Sequence, residues 1–294
     1  MNVQKNLSTA NFFPSKYPII CSAMNGVYSY EMLVSCVNAG IMPAVFSNMI
    51  PSGDLDKFLA KYGPDSIIIN SNWQMFLKDN SIVRKILNAE IKFLEITVTW
   101  DTFIHQPNNE MQDVLKKIFV MMKNKGCKLI FKMDSIYKEL ADVMEIKGNE
   151  AAGRSLGNSL MEEFESAKAK FPNLHIIASG GIYSSDQVKY YIDNGAVAIS
   201  AGTIFASSTE SPLSPDAKMK IINSTSNDLS RFEGNNQQGL IFSRLDNDNE
   251  NNSNSLEMGI RTGSSGHIFA GQSVDHITSI RPIKEIVADL VKLL

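Results

Sequence analysis

Two short turns between residues 176 and 206 have the residue types that bind a phosphate group. Gly180 and Gly181 follow one apolar run, and Gly202 and Thr203 follow the next one. Glycine has no Cβ, so the backbone can approach an anion closely, and the N–H groups of a following helix then point at it. The Thr203 hydroxyl adds a donor. These turns predict a phosphate-bearing cofactor or substrate; the alternative is two tight turns without a ligand.

The elements that must position these turns are predicted from eight apolar runs of strand length. The runs are almost continuously apolar, as expected of parallel strands buried on both faces. Amphipathic segments separate them, and several begin with Ser or Asp and end with Gly, which are common helix caps. We therefore predict an α/β fold, a (β/α)8 TIM barrel, whose last two strands precede the two turns, where such barrels bind phosphate. The predicted strands are 18–23, 41–46, 66–70, 93–98, 128–133, 143–147, 174–178 and 197–201.

The chain divides into three predicted segments. Residues 1–206 contain the barrel strands and helices one to seven. Residues 207–265 are a small insertion after the eighth strand, a lid with the Asn-rich loop 246–255, which has nothing to bury and is predicted to be mobile. Residues 266–294 are the C-terminal segment, whose amphipathic helix closes the barrel. The link between the fifth and sixth strands has room for a short helix only.

Composition excludes several classes of protein. A net charge of −3 over 294 residues provides no electrostatic footprint for nucleic acid or for an anionic membrane. No apolar run reaches the ~18 residues of a membrane span, and no secretory signal is visible, so we expect a cytoplasmic protein. Three scattered cysteines and four scattered histidines predict neither disulfides nor a metal site. No GxGxxG or GxxxxGK[ST] motif supports a Rossmann or P-loop nucleotide site.

Five motifs in chain order resemble those of the nitronate monooxygenase (2-nitropropane dioxygenase) family. They are PIICSAMNGVYSYEMLVSCVNAG, IIINSNW, KLIFKMDS, KGNEAAGRS and AGQSVDHI. KGNEAAGRS is the most specific of them, since it resembles the family signature GxEAGGH. The same family shape includes flavin-dependent enoyl-acyl-carrier-protein reductases and domains attached to polyketide and polyunsaturated fatty acid synthases.

The resemblance implies FMN as the cofactor. Its phosphate would lie at the two glycine turns described above, and its ring over the barrel mouth. A cation near the ring stabilises reduced flavin, which is the role implied for Lys132. The alternatives are a barrel ion-pair layer for Lys132 and a strand-end cap for Asn70. The residues implied in cofactor binding are Ala23, Met24, Asn70, Lys132, Gly148, Glu150, Gly153, Gly180, Gly181, Gly202, Thr203 and Gln272.

The chain departs from the family signature at Arg154, where the family has its catalytic or substrate-positioning histidine. Arginine stays protonated and cannot act as a general base. Arg154 can instead pair with an anion, such as a nitronate, a carboxylate or a phosphopantetheine phosphate; the alternative is a salt bridge to Glu150 or Glu162. His267 is a candidate replacement for the missing base, although an isolated histidine is commonly a packing residue.

The sequence thus favours an FMN-dependent oxidoreductase that resembles nitronate monooxygenase and oxidises an anionic nitronate with dioxygen. One alternative is a flavin-dependent enoyl reductase or tailoring enzyme that acts on acyl thioesters bound to an acyl carrier protein. Another is a non-catalytic barrel that binds a phosphorylated ligand. The expected partner is a small-molecule nitronate or acyl thioester, without nucleic acid or membrane.

Overall fold

Eight parallel strands form a closed barrel in the structure, which is a computed structural model. It describes residues 12–78, 80–97, 109–132, 138–155, 157–233, 241–246, 253–263 and 265–294. Every predicted strand is present, with ends shifted by no more than two residues, and the last strand pairs with the first. The predicted TIM barrel is therefore confirmed. The barrel strands are β1 (Ile19–Cys21), β2 (Met42–Phe46), β3 (Ile68–Asn72), β4 (Phe93–Thr97), β5 (Lys128–Lys132), β6 (Val143–Lys147), β8 (His175–Ser179) and β9 (Ala198–Ala201).

Helices alternate with the strands, as the amphipathic segments predict. Serine side chains accept hydrogen bonds from the first helical turn at several helix starts, including Ser159 and Ser184. The described part of the link between β5 and β6 is a short 3-10 turn, Lys138–Leu140. The helices are α1 (Tyr30–Asn38), α2 (Ser52–Tyr62), α3 (Trp73–Lys78), α4 (Asn80–Asn88), α5 (Asn109–Asn124), α6 (Leu160–Lys170), α7 (Ser185–Asp193), α8 (Thr203–Ala206), α9 (Pro215–Asn223), α10 (Ser253–Thr262) and α11 (Ile283–Leu290).

Apolar side chains fill the amino-terminal half of the barrel interior. One buried cluster there includes Ile20, Ile68, Ile130 and Ile177. Phe13 belongs to the same cluster, and its ring lies 4.9 Å from that of Phe93. A second, larger cluster lies between the strands and the surrounding helices. Because apolar side chains occupy the amino-terminal half of the interior, the polar interior side chains lie toward the carboxyl ends of the strands.

A small antiparallel sheet stands beside the barrel, and the sequence had not predicted it. Its strands are β7 (Gly153–Ser155), β10 (Leu229–Glu233), β11 (Ile241–Asp246) and β12 (His267–Ile268). Strand β11 pairs with β10 on one edge and with β7 and then β12 on the other. The end of the KGNEAAGRS segment, which contains Arg154, thereby pairs with residues about 90 positions later in the chain.

The remaining segments agree in part with the sequence. The stretch PDAKMKIINS forms α9 as predicted, and α11 packs against α1, α7 and α8. Of the Asn-rich stretch 246–255, residues 247–252 lie outside the described residues, and Ser253 begins α10. Among the described helices, none is both long and apolar enough to cross a membrane.

Candidate active site at the carboxyl end of the barrel

The turn after β8 requires glycine at both of its positions. Gly180 and Gly181 have φ angles of 109° and 67°, a region that other L-residues rarely adopt. A Cβ on Gly180 would lie 2.7 Å from the Cβ of Ala151, and a Cβ on Gly181 would lie 2.6 Å from the Cβ of Glu150. The turn therefore packs directly against the loop that follows β6, and a side chain at either position would push the two apart.

The turn after β9 lies beside it, since β8 and β9 are neighbours with Ser179 opposite Ser200. Thr203 Oγ1 accepts a hydrogen bond from the Gly271 N–H at 3.1 Å, which leaves the hydroxyl hydrogen able to donate elsewhere. Within the described part of the chain, the backbone N–H groups of Gly181 and Gly202 have no protein acceptor. Two adjacent turns with unused donors fit a phosphate group.

The loop that carries the glycine-rich signature is held by its own backbone and by Glu150. The Gly148 N–H donates to the Ser179 carbonyl at 3.2 Å, which ties the loop to the end of β8. Glu150 Oε2 accepts from the Leu160 N–H at 2.9 Å, at the start of α6. The Glu150 carbonyl accepts from the Gln272 N–H at 2.8 Å. Glu150 and Gln272 thus fix the loop over the barrel mouth.

Lys132 lies in a buried network of charges inside the barrel. Its Nζ is 2.5 Å from Glu95 Oε1 and 3.6 Å from Glu145 Oε1. Asn70 Nδ2 donates to the Glu95 carboxylate and, at 3.1 Å, to Thr97 Oγ1. These contacts match the alternative that the sequence left open for Lys132, an ion-pair layer across β4, β5 and β6.

The ionisation of this network follows from burial and from the neighbouring charges. Burial raises the pKa of Glu95, Lys132 opposes that change, and the nearby Glu145 adds to it, so that the pKa stays above its ordinary value. Burial alone would lower the pKa of Lys132, but the two carboxylates outweigh it and raise that pKa. Both carboxylates therefore favour the charged form of Lys132.

The loop after β1 forms the wall next to the second glycine turn. Ser22 and Ser200 hydroxyls are 2.5 Å apart, which joins the ends of β1 and β9. A Cβ on Gly202 would lie 3.5 Å from Met24 Sδ, an ordinary contact distance. Ala23 and Met24 are partly buried at this rim, adjacent to the proposed phosphate turn.

Arg154 and His267 lie on one face of the small sheet. Arg154 pairs with Phe242 of β11, and His267 pairs with Asp246 of the same strand, four residues later. Because side chains alternate along a strand, both residues and Arg244 between them share a face, with Arg154 and His267 separated by about 13 Å along β11. The sheet therefore groups these residues, but it does not place His267 next to Arg154.

Burial affects both of these candidate residues. It lowers the pKa of Arg154 to about 10, so the guanidinium remains charged at neutral pH. His267 is buried, and its ring lies 5.2 Å from that of Phe269 in an edge-to-face arrangement. The structure thus gives His267 the packing contacts of the alternative interpretation. Arg244, which the sequence analysis had not singled out, is 3% exposed.

A model of the nitronate monooxygenase family matches residues 72–292. The chain belongs to this family. The match includes the fourth to eighth barrel strands, the glycine-rich signature and both glycine turns. No curated protein matches the sequence.

Solved structures with the same fold have low sequence identity to this chain. FabK from Thermotoga maritima has a TM-score of 0.74 and 20% identity, with 95% of this chain and 92% of that chain covered. Nitroalkane oxidase from Streptomyces ansochromogenes has a TM-score of 0.68 and 12% identity, with 94% and 95% covered. The enoyl reductase domain of MlnA from Bacillus amyloliquefaciens has a TM-score of 0.60 and 15% identity, with 79% and 64% covered.

This member of the nitronate monooxygenase family has a second interior lysine that the sequence analysis missed. Lys147 ends β6, two residues after Glu145, and its Nζ donates to the Ala152 carbonyl at 3.0 Å. Burial, and then the charge of Lys132, lower the pKa of Lys147 to about 8, although Glu145 and Glu95 oppose this. Its period-two spacing from Glu145 was the available signal, because alternate residues of a barrel strand face the interior.

Proposed function

We propose that this protein is an FMN-dependent oxidoreductase that oxidises an anionic nitronate with dioxygen. The observation that carries the proposal is the pair of adjacent turns after β8 and β9, whose unused N–H donors suit a phosphate. Membership of the nitronate monooxygenase family supports flavin chemistry at such a site. The flavin would supply the electron transfer, and the protein would supply binding, orientation and charge.

Each part of the site has a role in this proposal. The glycine turns and Thr203 would hold the phosphate, and the loop from Gly148 to Gly153 would cover the ring. Ala23 and Met24 would form the wall of the flavin site beside Gly202. Arg154 would pair with the nitronate oxygens through charge-assisted hydrogen bonds, since it stays protonated at neutral pH. Substrate would therefore enter as the anion, without a proton for the enzyme to remove.

The primary test is the visible spectrum of the purified protein, with the released cofactor identified by mass. We expect FMN, and we expect the loaded protein to be reduced anaerobically by propyl-2-nitronate. A colourless protein that takes up no added FMN would contradict the cofactor assignment. A flavin that the nitronate does not reduce would contradict the substrate assignment alone.

Gly202→Ala tests whether the second turn holds the phosphate. The position has a φ of −117°, and a Cβ there would make ordinary contacts with Met24 and Ser22, so the fold should tolerate alanine. If a phosphate lies on this turn, the methyl group displaces it and weakens FMN binding about tenfold or more, as expected from one lost charge-assisted hydrogen bond. Fluorescence titration with FMN and thermal unfolding separate these effects. If a stable variant keeps its affinity for FMN, the phosphate does not bind at Gly202.

Arg154→His tests the departure from the family signature. A histidine can remove a proton from a neutral nitroalkane, whereas arginine cannot, so we expect nitroalkane turnover to rise about 10²–10⁴-fold relative to nitronate turnover. Arg154→Gln, which provides no base, is the matched control and should show no such gain. Equal behaviour of the two variants would show that residue 154 does not face the reacting carbon.

An enoyl reductase acting on carrier-bound acyl chains is the second candidate. The cation at Arg154 favours it, because a phosphopantetheine arm carries an anionic phosphate. Bleaching of the flavin by NADH or NADPH, followed by re-oxidation with an enoyl thioester, would support this reaction. Absence of bleaching by either nucleotide would exclude it.

A further inference from the structure

We propose that Glu145 is a positioning residue that maintains the positive charge of Lys147 at the barrel mouth, and that an anionic ligand binds most tightly while Lys147 is protonated. The identity of that ligand, FMN, rests on the proposed function. The charge relation between Glu145 and Lys147 does not.

The placement of the two residues is the first support. Glu145 and Lys147 are two positions apart on β6, so both side chains face the barrel interior, with Cα atoms about 7 Å apart. Lys147 is the one nearer the mouth, because it is the last residue of the strand. Its Nζ is held by the Ala152 carbonyl in the loop that packs on the first phosphate turn.

Glu145 is also incompletely compensated by its neighbours. It is 1% exposed, and in the described part of the chain neither of its carboxylate oxygens has a hydrogen-bond partner. Among the described residues, Lys132 has the cation nearest to Glu145, with Nζ 3.6 Å away, whereas the same Nζ lies 2.5 Å from Glu95. Asn70 also donates to Glu95. Lys132 Nζ therefore lies closer to Glu95 than to Glu145, and the charge of Glu145 also acts on Lys147, whose pKa it raises.

The charged groups around Lys147 determine the direction of this effect. From β5, Lys132 lowers the pKa of Lys147; from β6 and β4, Glu145 and then Glu95 raise it. On the other side, the residues of β8, HIIAS, contain only His175 as a titratable group, at the opposite end of that strand. In the loop, the Glu150 carboxylate is bound at the start of α6. Arg154 in β7 is a further cation.

The consequence is a charge that depends on pH. When Lys147 loses its proton, the network that it forms with Glu95, Lys132 and Glu145 loses one positive charge. Since Lys147 has a pKa of about 8, anion affinity should be highest below that pH and should fall as the pH rises through it. Without Glu145, this fall should begin at a lower pH.

The test measures the charge of Lys147 directly. In protein labelled with ε-¹³C lysine, the Lys147 signal is identified by its loss in Lys147→Arg, and its chemical shift is followed against pH without FMN. We expect a midpoint near pH 8 in the unchanged protein, a lower midpoint in Glu145→Gln, and a smaller shift in the same direction in Glu95→Gln. Glu165→Gln, at an exposed position on α6, is the control and should leave the midpoint in place.

The same samples are then titrated with FMN by fluorescence quenching between pH 6.5 and 9.5. Above the Lys147 midpoint, affinity should weaken by up to about tenfold per pH unit, as for one linked proton, and Glu145→Gln should move the break to lower pH. An unmoved Lys147 midpoint in both Glu variants overturns the role of Glu145. A midpoint that moves without any change in the FMN profile overturns the link to the mouth. A protein that takes up no FMN at all contradicts the proposed function, while the NMR titration still decides the charge relation.

Discussion

Replacing Lys132 with methionine should lower the free energy of unfolding by about 3–5 kcal/mol, the usual cost of removing one partner from a buried ion pair. Lys132 is the cation nearest to both Glu95 and Glu145 in the network, and each of these carboxylates is 1% exposed. Methionine preserves most of the side-chain volume, so the loss reports on charge rather than on a cavity. Urea unfolding at neutral pH, followed by circular dichroism, measures it.

Lys168→Met is the matched control for this prediction. Lys168 pairs with Glu165 at 3.1 Å on the surface of α6, with side chains 35% and 51% exposed. Such pairs contribute between about 0 and 1 kcal/mol, so the control should unfold almost as the unchanged protein does. A loss of less than about 1 kcal/mol in Lys132→Met would mean that the interior carboxylates are solvated rather than dependent on Lys132.

The loss of unfolding free energy caused by Lys132→Met should also become smaller as the pH falls. Lys132 is the main influence that opposes the burial-raised pKa of Glu95, so its removal raises that pKa further. A carboxyl whose pKa is higher in the folded state than in the unfolded state binds more protons when folded, and the folded state then gains stability as the pH decreases. The difference in unfolding free energy between the variant and the unchanged protein should therefore be smaller at pH 5 than at pH 7.

Gly181→Ala should reduce FMN affinity by about 100-fold or more, because one or two charge-assisted hydrogen bonds, each contributing about 1.5–3 kcal/mol, would be lost at the first phosphate turn. Residue 181 has a φ of 67°, and a Cβ there would lie 2.6 Å from the Cβ of Glu150. Alanine must therefore displace either the turn or the loop that covers the site. Fluorescence titration with FMN measures the affinity, and thermal unfolding shows whether the variant is folded.

Gly195→Ala is the control that separates the effect of backbone strain from the loss of phosphate contacts in Gly181→Ala. Gly195 also has a positive φ, 98°, but no atom lies within 4 Å of its added Cβ, and it follows α7 at the amino-terminal end of β9. The left-handed conformation should cost alanine about 1–2 kcal/mol at either position, whereas only Gly181→Ala should lose FMN. Equal losses of affinity in both variants would attribute the effect to reduced stability and not to the turn.

The barrel and its two glycine turns could be predicted because their signals are local. Strands buried on both faces consist largely of apolar residues, such as MPAVF in β2 and AISA in β9, and the serine caps mark several helix starts. The Gly180–Gly181 pair is equally local, since its positive φ angles exclude other residues whatever lies nearby. For these features, residue type and spacing along the chain contain the physical cause.

The small sheet could not be predicted in the same way. Strands β7 and β12 have three and two residues, too few to show an alternating pattern, and β7 pairs with a segment about 90 residues away. The common face of Arg154, Arg244 and His267 depends on that pairing. Their grouping is therefore a property of register between distant segments, which no single segment specifies.

The sequence by itself determined the barrel, the order of its strands and the two glycine turns, because each of these follows from local hydrophobicity, capping and backbone freedom. Only the tertiary structure decided what the interior charges do. The sequence placed Lys132 on a strand, but its pairing with Glu95 and Glu145, and the position of Lys147 above them, depend on how β4, β5 and β6 are staggered around the barrel. Electrostatic energy changes steeply with distance inside a protein, so these roles exist only once that stagger brings the charges together.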